Sequence, residues 1–237
     1  MQTIERHPSL ATPENLMKPL AHALLAATLA TALPASHAQQ QPSATVPGYA
    51  YGQGTLARAP YTMADLKALQ ASLLFTGEDV KALRQSKAIL ADQTNAILDV
   101  WYGFVASTPE LVYFFSDART GKPDGAYLDA VRKRFALWIL DTADANYDQR
   151  WLDWQYEIGL RHNKIKKNDT DRAPSVAQVN FRYIPALTIP VTTTLKPFLA
   201  KKGASASDVE KMHAAWVKSV LMQSILWSQP YIKDGEF

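Results

Sequence analysis

The chain has 237 residues, 47% of them hydrophobic and 20% charged, with a formal net charge of +3. That length fills one core rather than two ordinary domains, and the composition excludes a disordered chain. Cysteine is absent, which excludes disulfides, thiolate nucleophiles, Cys-ligated zinc, iron–sulfur clusters and lipoprotein anchoring.

Residues 1–38 read as a targeting segment. Met17-Lys18 precedes an Ala/Leu-rich stretch over 20–33, then Pro34, with small residues at Ser36 and Ala38. The apolar stretch is too short to span a bilayer and suits a signal peptide cleaved after Ala38. Glu5 and Glu14 lie far upstream for such a peptide, so Met17 is a second candidate start. A polar, Pro-containing extension occupies 39–60 and the folded domain 61–237. The mature protein is therefore expected in the periplasm or outside the cell, with no stable membrane insertion.

From residue 61 onward apolar residues recur at intervals of three and four, without alternating β-branched runs, so an all-α domain is expected. A short helix is predicted over 63–74. Thr76, with Asp79 three residues on, marks an N-cap and an acidic first turn. The helix it opens runs to 107, with Leu83, Leu90, Ile97, Trp101 and Phe104 on one side. A short helix over 110–115 leads into the turn Gly121-Lys122-Pro123-Asp124-Gly125, and the next helix aligns Tyr127, Val131, Phe135 and Trp138. A helix from Asp148 stacks Trp151, Gln155, Ile158, His162 and Ile165 on one stripe. Two long helices, over 175–201 and 207–233, close the chain. The first contains Pro185 and Pro190 and must kink there or start later. The basic run at 164–167 is followed at once by Asp169 and Asp171, so it reads as the solvated end of a helix, not as a nucleic-acid patch.

Loss of residues 1–38 removes His7, His22 and His37 and leaves His162 and His213. Neither HExxH nor G-x-S-x-G occurs, so zinc-protease and serine-hydrolase chemistry lack their motifs. His162 lies on the apolar stripe of its helix. Periodicity alone favours a buried structural histidine there. Haem iron, however, needs one neutral imidazole presented from a helix into an aromatic pocket, and Trp101, Tyr102, Phe104 and Phe135 could supply that pocket. The two readings stay open on spacing alone.

Longer motifs bear on the choice. The segment PGYAYG (47–52), the run ILDVWYGFV (97–105), YLDAVRKRFALWILDT (127–142) and YDQRWLDWQYEIGLRH (147–162) resemble the protoglobin family of single-domain globins. TLKPFLAKKG (194–203) and the ending LWSQPYIKDGEF (226–237) continue the likeness. The resemblance implies a globin-like helical sandwich with an extra N-terminal helix and an N-terminal loop that helps to bury haem b. It implies His162 as the axial ligand of the iron, with Trp101, Tyr102, Phe135, Leu187 and Val191 around the cofactor. It further implies binding of O2, CO and NO at ferrous haem, reached through tunnels, and a homodimer through the last two helices. Tyr102 is the only hydroxyl among the matching distal residues and is the expected donor to bound O2. Leu187 stands where the family can carry Phe, and Asn163 where a second His can follow the proximal one. A haem enzyme (an NO dioxygenase or a peroxidase), a gas sensor acting through a partner protein and a cofactor-free binding module are the rival readings.

Overall fold

The structure, a computed structural model, describes residues 45–233 and 235–237. The expected signal peptide over 1–38 and the first residues of the extension lie outside the described residues. Helix α1 (Met63–Ser72) and helix α2 (Gly77–Leu90) each open on a capping box, Thr62 with Asp65 and Thr76 with Asp79. Helix α3 (Thr94–Ala106) follows a turn at 91–93, and the short α4 (Pro109–Val112) runs into a 3₁₀ turn, Tyr113–Phe115. Asp124 caps α5 (Gly125–Asp144) and Asp148 caps α6 (Gln149–His162). The short α7 (Tyr183–Ala186) leads to α8 (Thr188–Leu199), and Ser205 caps α9 (Ala206–Ser228). A 3₁₀ turn, Gln229–Tyr231, follows α9. Each cap supplies an acceptor to backbone N–H groups that have no partner inside the helix, worth roughly 1 kcal/mol.

Three stretches differ from the sequence pattern, each for a local reason. The helix predicted from Thr76 to 107 is two helices. Gln93 turns its side-chain amide back to the Ile89 carbonyl at 2.6 Å, taking the acceptor that its backbone N–H would use in a continuous helix. The stripe predicted on α6 stops at His162. Asn163 is extended (φ −93°, ψ 161°) and its Oδ1 accepts the Ile165 N–H at 3.2 Å, which leaves Ile165 53% exposed. The helix predicted from 175 begins only at Tyr183. Pro185 and Pro190 are each the third residue of their helix, where a missing N–H has no helical partner to lose. No strand forms among the described residues.

Helix α9 runs through the centre, with α2, α6 and α8 packed against it, while α3 packs on α5 and α8. Leu83, Leu90, Leu98, Ile139, Leu195 and Met212 fill the main core. Burial of each such side chain contributes about 1.5–3 kcal/mol. Two of the buried indoles are satisfied as well: Trp216 donates to Ser86 Oγ at 2.9 Å and Trp138 to Gln223 Oε1 at 2.7 Å. Trp216 is thus interior and is not available to a homodimer interface on α9. The additional N-terminal helix α1 forms a second cluster, Leu66 meeting Trp151, Leu152, Met222 and Leu226. Among the described residues no helix is long and apolar enough to cross a membrane.

Candidate functional site

Between α3, α5 and α6 on one side and α7, α8 and α9 on the other lies a cavity of about 250 Å³. Trp101, Tyr102, Phe135, His162, Leu187 and Val191 all line it. Residues separated by up to ninety positions therefore converge on one space. Phe104 does not line it and packs instead behind Trp101, with ring centroids 5.5 Å apart. His213 also lies away from the cavity, half-buried on α9.

His162 is the last residue of α6, and its ring is enclosed by protein with one side open to the cavity. Nδ1 lies 2.8 Å from the Ile158 carbonyl oxygen. A carbonyl can only accept, so the proton sits on Nδ1 and Nε2 keeps its lone pair. Nε2 has no hydrogen-bond partner among the described residues. Burial lowers the pKa of the imidazole, against the opposing effect of the Ile158 bond, and holds the ring neutral. Because α6 ends here, the His162 carbonyl has no helical donor. It accepts instead from the Val179 N–H at 2.8 Å and the Tyr231 hydroxyl at 2.7 Å.

The opposite wall is aromatic. Trp101 meets Phe135 edge to face at 5.9 Å, and Phe135 meets Trp138 at 5.1 Å. Tyr102 packs against Phe115, with the Arg132 guanidinium 5.7 Å over its ring. Burial raises the Tyr102 phenol well above its ordinary pKa, so it stays a hydrogen-bond donor at any physiological pH. Its hydroxyl has no partner among the described residues. Beyond this wall a small void of about 10 Å³ touches Ile97, Trp101, Phe135, Val191 and Leu195.

The edge of the cavity is cationic. Arg134, Arg161 and Lys167 line it, with Asp171 the one carboxylate side chain among the lining residues. Arg134 pairs with Asp171 through both guanidinium nitrogens, and Arg161 pairs with Glu157. Lys167 is buried with three neutral acceptors, the Phe114 carbonyl, Ser175 Oγ and Asn168 Oδ1, and burial lowers its pKa to about 8. An N-terminal loop closes over this edge. Arg134 donates to the Pro47 carbonyl at 3.1 Å and Arg161 to the Gly48 carbonyl. Gly48 has φ +77°, and a Cβ there would lie 2.4 Å from Thr170 Cγ2, so only glycine fits. Tyr49 packs edge-on against Trp154, 5.5 Å away.

Arg134, Arg161 and the loop contacts they make were not singled out by sequence reasoning, and Lys167, expected in the solvated run 164–167, is instead only 4% exposed and lies beyond the end of α6. Lone Arg and Lys residues on a polar helix face carry no periodic signal. Trp227, stacked on His162, was not singled out for the site because an aromatic ring on an apolar helix stripe reads as ordinary core.

The donor set defines which metal chemistry fits. Among the described residues no group of three or more His, Asp or Glu could hold a metal ion. One neutral imidazole in an apolar cavity can hold a metal only when a cofactor supplies the remaining ligands. A cationic edge suits a cofactor that carries carboxylates. Haem meets both conditions.

Comparison with known proteins agrees. The structure is similar to the globin domain of a globin-coupled sensor from Geobacter sulfurreducens, with a TM-score of 0.54 at 16% sequence identity. The match covers 70% of this chain and 97% of that one, and it establishes the globin fold. Among curated proteins no match was found. The sequence model of the protoglobin family matches residues 62–237. With most of its length so matched, the chain belongs to the protoglobin family, globins whose cofactor is haem.

Proposed function

We propose that this protein is an exported globin that reversibly binds diatomic gases, O2, CO and NO, at haem b held axially by His162. The observation that carries the reading is the state of His162: neutral, fixed through Nδ1, with an unpartnered Nε2 on an aromatic cavity. The bound haem would supply the iron that takes up the gas. The chain's own residues do the rest. His162 would hold the iron through Nε2, Arg134, Arg161 and Lys167 would meet the carboxylates, and the loop at 47–49 covers that edge. Trp101, Phe135, Leu187 and Val191 keep water from the gas side, and Tyr102 donates a hydrogen bond there. With Leu187 rather than a larger aromatic ring, the wall leaves more room. A separate small void of about 10 Å³ lies against Trp101, Phe135 and Val191, apolar space that would suit an uncharged gas.

Export rests on the reading of 1–38 as a signal peptide, and the homodimer on α8 and α9. The first experiment is the absorption spectrum of the purified full chain, oxidised, reduced with dithionite, and under O2 and CO. A Soret band that shifts reversibly with each gas is expected. A colourless protein that takes up no added haem would refute the reading.

A further inference from the structure

The end of α9 is built around the His162 ring. The indole of Trp227 lies parallel to it, with centroids 5.3 Å apart and planes 11° apart. The Trp227 N–H donates to Gln155 Oε1 at 2.8 Å, and Gln155 is itself buried on α6. The backbones are held together as well. Gly159 sits against the Trp227 main chain, where a Cβ would lie 3.0 Å from both the Cα and the carbonyl oxygen. Asn163 Nδ2 donates to the Pro230 carbonyl at 3.2 Å, and the Tyr231 hydroxyl reaches the His162 carbonyl.

The bond from Nδ1 to Ile158 fixes one point of the imidazole and leaves the ring able to turn about its bond to Cβ, a torsion with a broad well. A flat ring on one face removes that freedom. The indole cannot follow the imidazole, because Gln155 and the close Gly159 contact fix it independently. We propose that Trp227 is a positioning residue for the axial imidazole, setting the rotation of the His162 ring relative to the haem plane. Orbital overlap between Nε2 and the iron depends on that rotation, so the stack narrows the range of iron–imidazole geometries. This inference rests on the reading of His162 as the iron ligand.

The test is resonance Raman spectroscopy of the reduced, gas-free, haem-loaded full chain, read at the iron–imidazole stretch. The wild type is expected to give one narrow band. Trp227→Leu should broaden and shift it, whereas Trp227→Phe, which keeps a flat ring, should restore most of the wild-type position. His213→Ala, on α9 but away from the cavity, keeps the stack and should leave the band unchanged. Gln155→Leu frees the indole to tilt and should broaden the band, and this variant decides the matter where Trp227→Leu does not hold haem. A wild-type band in both position and width, in Trp227→Leu or in its substitute Gln155→Leu, overturns the proposal. Failure of the underlying reading looks different: the band persists in His162→Gly, or the wild type has none.

Discussion

The Ile158 carbonyl, one turn back along α6, accepts the Nδ1 proton of His162 at 2.8 Å and thereby decides which nitrogen is free. His162→Gly is expected to abolish the five-coordinate ferrous spectrum and to weaken haem retention by more than the ~10–100-fold typical of losing a supporting hydrogen bond. Added imidazole should partly restore the spectrum by filling the space left behind. His213→Ala, away from the cavity, should change neither. A native spectrum in His162→Gly without imidazole would place the iron on another ligand.

Tyr102→Phe should speed O2 release about fivefold, the equivalent of one hydrogen bond of about 1 kcal/mol. Bound O2 carries partial negative charge and gains from a phenolic donor, whereas CO gains far less. Stopped-flow release rates for both gases separate the two roles of the ring. Equal changes for O2 and CO would reduce Tyr102 to packing.

The Tyr49 hydroxyl reaches both carboxylate oxygens of Asp141, at 2.8 and 2.9 Å. Burial raises the Asp141 pKa to about 6, against the lowering effect of this bond. A folded pKa above the unfolded value means that the ionised carboxylate costs stability above pH 6, and that the cost is relieved as pH falls toward 4. Asp141→Asn, whose amide oxygen still accepts from Tyr49, should therefore stabilise the protein at pH 7.5. With a discount for partial exposure the gain is about 1 kcal/mol, or roughly 2–4 °C. Melting curves at pH 7.5 and 5 check this, and a gain that grew toward acid would contradict it.

Association of two copies through α8 and α9 must use what those helices leave outside. Ile189 on α8 is 64% exposed, and Ala214 on α9 is exposed as well. Ile189→Glu combined with Ala214→Glu should give a monomer that still holds haem. Sedimentation of the wild type as a monomer at micromolar concentration would remove the basis for this expectation.

Export predicts cleavage after Ala38. The intact mass of protein recovered from the periplasm should begin at Gln39, and full-length protein retained in the cytoplasm would count against the signal-peptide reading.

Much of the scaffold was legible because helix signals are local. Thr76, with Asp79 three residues on, caps the helix that its spacing announces, and Asp148 caps the helix predicted to begin there. What escaped was decided by side chains reaching back to the main chain. Gln93 splits one predicted helix and Asn163 ends another, and neither residue type signals its partner in advance. The cavity-lining residues named for the site came from the family's motifs, since periodicity left His162 as ordinary core. The homodimer expected through the last two helices cannot draw on Trp216, which is fully enclosed.

The loop at 47–49 is gripped mainly by its carbonyl oxygens, one on Arg134 and one on Arg161. A grip on main-chain atoms is blind to side-chain identity, so most substitutions at position 47 should pass unnoticed while Gly48 tolerates none. It also ties two events to the same pair of guanidinium groups. Arg134 and Arg161 fasten this N-terminal loop and, at the same time, line the cavity. Filling the cavity and fastening the loop thus draw on the same two arginines, and a chain whose loop is cut away should take up its cofactor as though both arginines had been loosened.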